Sequence, residues 1–300
     1  MSQAMVQTKN KIPISSKENF ASDHWDIVIT SKKSWIDLKL KELWQYRDLL
    51  LLLVWRDYTH VYKQTILGPL WYIIQPVMIT LVFTVVFGNI AGISTDGIPQ
   101  TLFYLSGITC WYYFADCLNK TSTTFKDNQQ IFGKVYFTRL IVPLSIVISN
   151  LIKFGIQFFL FLGFLLYFYY TNPAVQPNRY LLLFPFLILL IGGLGLGFGL
   201  FITAFTVKYR DLVFLLQFGI QLAMYATPIV YPLSTVDDKY RWIIELNPMT
   251  AIVETFRYGF TGAGEFSWMA IGYSTAFMCI LLVAGMIVFN RTERNFMDTV

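Results

Sequence analysis

Long stretches of this chain carry no charge. After Lys63 the next charged residue is Asp96, and the intervals between Lys153 and Arg179, Arg179 and Lys208, Asp211 and Asp237, and Glu265 and Arg291 are uncharged. Each can hold the roughly 20 apolar residues that cross a bilayer as a helix. The apolar residues run continuously instead of alternating, which excludes a β-barrel of the outer-membrane kind. A backbone in hydrocarbon must satisfy its own hydrogen bonds, which leaves helices. The pattern predicts an all-α integral membrane protein with six spans, at about 68–91, 101–119, 150–170, 181–206, 212–231 and 268–290. The second is the least apolar, since it contains Asp116 and ends at Lys120.

Three further segments are patterned without spanning. In 36–57, Ile36, Leu40, Leu43 and Trp44 recur at helical spacing among Lys39, Lys41 and Glu42, and an apolar run from Leu49 to Trp55 follows between two Arg-Asp pairs. Seven residues cannot span, so this reads as an N-terminal amphipathic helix lying in the membrane interface, or else as a small helix packed on the bundle. The stretch 125–149 mixes basic and aromatic residues, then reaches Pro143. The segment 232–267 is too long for a turn and too apolar for a solvated loop. Its apolar residues fall on either side of Asn247-Pro248, and proline disfavours helix in the residue before it, so two short helices should meet there. The pair either dips back into the membrane as a re-entrant hairpin or caps the outer surface; periodicity fits both. Glu254 and Arg257 lie three apart on one face and should pair; if the segment is a gate, exchanging the two residues should partly restore the closure that Arg257→Ala loses.

Composition sharpens the class. Charged residues make up 14% and hydrophobic residues 55%, against about 25% charged for a soluble domain. The 27 Phe, 18 Tyr and 8 Trp exclude disorder. The three cysteines, Cys110, Cys117 and Cys279, sit in apolar runs without CxxC spacing, which excludes a disulfide scaffold. Residues 1–35 are polar, with no apolar core behind an early positive cluster; a cytosolic tail fits them better than a signal peptide. Ten Lys and Arg precede the first span, four lie between the second and third, two between the fourth and fifth, and two after the sixth, against four on the other side. Both termini are therefore expected in the cytosol. The net charge of +5 is then mostly a topology signal, with no nucleic-acid partner required.

Several chemistries are missing. The sequence has no GxxxxGK[ST], hence no ATPase site of its own. Its two histidines, His24 and His60, both precede the first span, and neither HExxH nor GxSxG occurs. Asp116 and Lys153, the only charges within the spans, are expected near the cytosolic ends, free to snorkel. No mid-membrane acid suits proton or sodium coupling. In the fourth span Gly193/Gly197 and Gly195/Gly199 are GxxxG pairs, suited to close helix contact or to a hinge. The clusters Trp71-Tyr72 and Trp111-Tyr112-Tyr113 fit interface belts or the walls of a sugar-conducting path.

The stretch from Trp55 through Arg56, Asp57, Tyr62, Lys63, Gln64, Gly68 and Pro69 to Trp71, followed by Gln75-Pro76, resembles the approach to the first span in polysaccharide-exporting ABC transporter permeases, which export O-antigen, capsular polysaccharide or teichoic acid. Three further stretches resemble the same family: 134–139 with Pro143, 247–250 with Glu254 and Arg257, and 293–298. The resemblance runs over about 36–300, the permease domain. It departs at Val61, where members often carry arginine, so a headgroup role rests on Arg56 and Lys63 unless these merely anchor the chain. The resemblance implies a half-transporter of the bacterial cytoplasmic (inner) membrane. Two copies pair as a homodimer around a channel for lipid-linked polysaccharide. Each recruits a separate P-loop ATPase subunit, which binds ATP and Mg, while this chain binds no cofactor. It further implies that the first and fifth spans line the channel, with Trp71, Tyr72, Phe83 and Tyr225 as candidate lining aromatics. The external helices gate it through Asn247, Pro248, Glu254 and Arg257. Arg47, Lys134, Tyr136 and Arg139 couple to the ATPase. Two rivals remain: an exporter of the same architecture for a drug or lipid, which would lack the long basic helix and many of the aromatics, and a membrane-embedded enzyme of glycan assembly, which would turn over lipid-linked sugar without an ATPase.

Overall fold

Apolar helices gain little by leaving lipid for one another, so a membrane bundle is held where small residues let backbones meet. In the computed structural model, which describes residues 44–63, 66–132, 137–209 and 211–297, such a meeting place lies in the glycine-rich helix. The elements in order are α1 (Arg47–Lys63), a 3-10 turn (Gly68–Leu70), α2 (Trp71–Phe83) continued by a π-helical turn (Thr84–Ile90), α3 (Gln100–Ser122), the short α4 (Thr124–Asp127) and α5 (Gln129–Phe132), α6 (Ile141–Thr171), a 3-10 turn (Arg179–Leu183), α7 (Phe184–Lys208), α8 (Leu212–Ala226), a 3-10 turn (Leu233–Thr235), α9 (Asp238–Glu245), α10 (Pro248–Thr261) and α11 (Trp268–Met297). No strand occurs among the described residues. The tail 1–35, the first part of the expected interfacial helix, 36–43, and Lys134 and Tyr136 lie outside them.

Helix α3 is the axis. It is buried along most of its length and touches α2, α6, α7, α8 and α10. Helix α7 meets it through Gly192, Gly195 and Gly199: a Cβ on Gly195 would lie 2.6 Å from Cys117 Cβ, and one on Gly199 would overlap Thr121. Gly193 and Gly197 face the other way, where added Cβ atoms would run into Met278 and Leu281 of α11. The two GxxxG pairs thus serve two different neighbours and are packing surfaces. Two threonines of α7 finish the contact. Thr203 Oγ1 donates to the Thr121 carbonyl (2.6 Å) and Thr206 Oγ1 to the Ser122 carbonyl (2.5 Å), giving partners to carbonyls that the end of α3 leaves free.

Among the described residues, four stretches are long and apolar enough to cross a membrane: Gly68–Ile90, Ile141–Thr171, Arg179–Lys208 and Trp268–Glu293. Helix α3 has the length, at 23 residues, but carries polar groups that its neighbours screen. Several expected boundaries need correction. The third helix begins at Ile141, not 150, because Pro143 falls in its first turn, where a missing N–H costs nothing. The fifth stops at Ala226, not 231, because Thr227 precedes Pro228 and is extended (φ −96°, ψ 146°). Its 15 residues reach only about 22 Å. Helix α1 continues past 57 to Lys63, burying Leu53 and Val54 while Leu51, Leu52 and Trp55 stay exposed.

Two aromatic clusters lock the ends. Where α6, the start of α7 and α10 converge, Phe154, Phe158, Phe161, Phe184, Phe256 and Phe260 pack ring on ring, with Phe158 and Phe184 stacked at 4.2 Å between centroids. At the other end Phe125 stacks on Phe289 at 4.8 Å, beside Phe132 and Phe137. Gly195→Leu should separate α7 from α3 and destabilise the protein by roughly 1–3 kcal/mol or more. Gly155→Ala, at a position with open space around it, should leave the melting temperature in detergent essentially unchanged.

Candidate functional site

The break between α9 and α10 is built by its own residues. Asn247 caps α10 by accepting the Met249 N–H at 3.0 Å, and its amide donates to Thr227 Oγ1 at 2.8 Å. Pro248 occupies the first helical position, where it lacks nothing the helix needs. Thr250 Oγ1 reaches back across the break to the Ile244 carbonyl, and Ser274 Oγ of α11 donates to the Pro248 carbonyl. The two short helices expected from the sequence therefore exist, and they meet at the expected dipeptide. They differ sharply in surroundings: α10 is enclosed along nearly its whole length, whereas no residue of α9 is fully buried.

Arg257 is the most deeply enclosed charge of this site. Its side chain is 0% exposed and that of Glu254 3%. Nη1 donates to Glu254 Oε1 at 2.7 Å, Nη2 to the Pro228 carbonyl at 2.9 Å, and Nε makes a longer contact of 3.5 Å with Ser106 Oγ. The guanidinium lies 3.7 Å above the centre of the Phe103 ring, a cation–π contact strengthened by the lack of water. Glu254 uses its second oxygen to accept the Glu265 backbone N–H at 3.1 Å. Gly264 makes this approach possible: its φ is +104°, and a Cβ there would sit 2.8 Å from Glu254 Oε2. The Glu265 side chain then pairs with Arg241 of α9, which also holds Glu245 at 2.8 Å. Hydrogen bonds to Glu245 first, and then Glu265, hold the Arg241 guanidinium above its ordinary range. One chain of charges thus runs from the surface of α9 to the interior of the bundle.

This network corrects one expectation. Exchanging Glu254 and Arg257 would not preserve the site, because the guanidinium also serves Pro228, Phe103 and Ser106, which a glutamate cannot satisfy. Those partners had no signal in local spacing; they lie 29 residues and more away in sequence.

The other anticipated residues are scattered. Arg56 is engaged by its neighbour, with Nη2 and Nε 2.8 and 3.0 Å from Asp57 Oδ1, while Lys63, at the end of the same helix, is exposed. Arg47 lies on the surface over Trp44. Arg139 is turned inward, beside Glu293 of α11 and over the Phe132 ring, so it offers no guanidinium for surface docking. Of the four aromatics, Trp71 and Tyr225 are exposed and Tyr72 stands beside Lys153. Phe83 is not an exposed lining residue: its ring is buried, edge-on to Phe87 and Tyr104, because it projects from the side of α2 that meets α3. Lys153 and Asp116 do not snorkel separately. They pair at 2.6 Å, with Lys153 twelve residues inside α6 and near the Tyr72 and Tyr112 rings. Among the described residues no group of His, Cys, Asp and Glu is placed to hold a metal ion.

The family model for the ABC-2 type transporter matches residues 48–261, a stretch that takes in most of α1 and all of the α9–α10 pair. The chain is 30% identical over 268 residues to an O-antigen export system permease protein of Klebsiella pneumoniae, covering 88% of this chain and 99% of that protein. It is 28% identical over 222 residues to the protein of the same name from Myxococcus xanthus, covering 73% and 82%. Identity to the polysialic acid transport protein of Escherichia coli is 22% over 237 residues, covering 78% and 89%. Bundle, motifs and kinship agree: the chain belongs to the ABC-2 transporter membrane family.

Proposed function

We propose that the chain is the membrane-spanning subunit of an ATP-driven exporter, which carries lipid-linked polysaccharide of the O-antigen or capsule type outward across a bacterial cytoplasmic membrane. The observation that carries this reading is the near full-length similarity to an O-antigen export permease. A separate P-loop ATPase supplies hydrolysis with its own ATP and Mg, since this sequence has no phosphate-cradling loop. Two copies pair around the path, each with six spans formed by 68–90, α3, α6, 179–208, α8 and α11, and with both termini cytosolic. Exposed Trp71 and Tyr225 are the aromatics best placed to line that path. Deleting the gene should remove the surface polysaccharide while lipid-linked chains accumulate at the inner leaflet, read by gel and by lipid extraction. A normal surface coat in the deletion strain, or ATPase-free turnover of a lipid-linked sugar by the purified chain, would refute the proposal.

In this reading the α9–α10 pair turns back from outside and closes the path, with Arg257 as its latch. The support is the enclosure of α10, which an outer cap would leave open on one side. Removing one partner of a buried pair typically costs 3–5 kcal/mol, enough to shift a closed–open balance of similar size. Arg257→Ala should make proteoliposomes of the resting complex leak a small dye. The exchanged double variant should leak as much; a tight vesicle in both cases would make the pair a passive cap.

Lys63 takes the main part in attracting the lipid-linked headgroup, because Arg56 is held by Asp57. Lys63→Glu should reduce surface polysaccharide more than Arg56→Ala at equal membrane abundance. The opposite order would return the role to Arg56. Coupling to the ATPase runs through exposed Arg47 on α1 and through Lys134 and Tyr136, while Arg139 is engaged inside the bundle beside Glu293.

A further inference from the structure

The rod that begins at Gly68 is broken twice. Pro76, inside α2, lacks the N–H that would bond back to the preceding turn. From Thr84 the helix widens into a π turn that lasts to Ile90, a form that is rare and concentrated at functional positions. Both outer parts have neighbours. Tyr72 stands against Lys153, and Gly88 lies directly against the end of the Gln100 side chain. In the piece between them, 77–83, Met78, Leu81 and Val82 are exposed, while Thr80 and Phe83 face inward.

That middle piece borders a cavity of about 210 Å³, closed on the far side by Thr101 and Leu105 of α3 and Phe164 of α6. Thr80 and Thr84 line it. Thr80 is only 3% exposed, and both hydroxyls are enclosed without a hydrogen-bond partner. Several other helical threonines settle the hydroxyl on the carbonyl one turn back, such as Thr109 on Leu105 at 2.7 Å, Thr171 on Tyr167 at 2.9 Å, and Thr261 on Arg257 and Thr275 on Ile271 at 2.8 Å, although Thr121 of α3 is likewise enclosed without a partner. An enclosed hydroxyl left alone is uncommon and asks for a reason. Here two occur one turn apart on the same cavity, Thr80 between the two breaks and Thr84 at the first residue of the second.

We propose that residues 77–83 are a moving section of the span, which swings between Pro76 and the π turn into this cavity and brings the Thr80 hydroxyl, with that of Thr84 at the hinge, toward that of Thr101. The breaks supply the freedom, the cavity supplies the room, and the lone hydroxyls favour the shifted position. The shift withdraws Met78 and Val82 from the surface they now present. Its purpose rests on the exporter reading, in which the withdrawal widens the path beside the first span as the ATPase turns over. The movement itself does not depend on the cargo.

Spin labels at Val82 on α2 and Phe159 on α6, both exposed, measure it directly. The labels are placed in a Cys279→Ser background, in the complex with its ATPase, with labelled chain diluted by unlabelled chain. Two distances should be resolved, and ATP should change their proportions. Leu105→Phe, which fills the cavity, should leave only the resting distance and lower export at least about tenfold. Thr80→Val with Thr84→Val should deplete the second distance, whereas Thr80→Ser with Thr84→Ser should keep it. A single distance throughout the ATP cycle of an exporting complex would overturn the proposal. So would distances unchanged both by Leu105→Phe and by the two valine substitutions. If Leu105→Phe fails to reach the membrane, the valine and serine pairs decide the question alone. If the distances respond to ATP while no polysaccharide is moved, the section moves and the cargo assignment is what fails.

Discussion

A guanidinium that water cannot reach must find its hydrogen bonds inside the protein, and much of one end of this bundle is arranged around that requirement. Arg257 draws a carboxylate from its own helix, a carbonyl from the chain just beyond α8, and an aromatic face and a hydroxyl from α3. Each partner fixes an element. The carbonyl is available because α8 stops before Pro228 and the residue four places on, Pro232, has no N–H to offer it. Glu254 in turn needs a second donor, which the backbone supplies only because Gly264 can approach without a side chain. One buried charge thus ties together the end of a helix, a glycine turn and the enclosed α10.

The scaffold beneath is set by a different constraint, the closeness of backbones. Five glycines on α7 are divided between two faces, one for α3 and one for α11. Attraction between such surfaces comes from contact itself, so it falls steeply with any added atom. The threonines that follow the glycines turn the same closeness into hydrogen bonds with the end of α3.

Helices whose apolar residues faced lipid could be read from the sequence almost to the residue. The rod at 68–90 and the helix starting at 268 are examples, because composition alone reports that environment. The Asn247-Pro248 break and the Glu254–Arg257 pair were legible for another reason: both are local, one a property of proline and the other of helical spacing. What escaped depends on tertiary neighbours. Pro143 looked like a boundary but fits a first turn, so α6 begins nine residues early. Lys153 and Asp116 each looked like an end-of-span charge; their pairing needs residues 37 apart to meet. Phe83 and Arg139 had the right residue types for channel and docking roles, yet both are turned inward, and side-chain direction on a partly buried helix cannot be told from type alone.

The polarity of α3 bears on how the protein is made. A helix carrying Asp116, Lys120, Ser106 and Thr109 gains little by partitioning into lipid alone. Ser106 and Thr109 bond carbonyls of α3 itself, but Asp116 and Lys120 find their partners, Lys153 and Asn150, on α6, and α7, which packs along α3, ends 86 residues after α3 does. During synthesis α3 must therefore wait, sheltered beside the insertion machinery or loosely held by α2, until those helices emerge. Assembly of this membrane domain is in consequence retrospective: its axis is laid down early but becomes an axis only when later helices close around it.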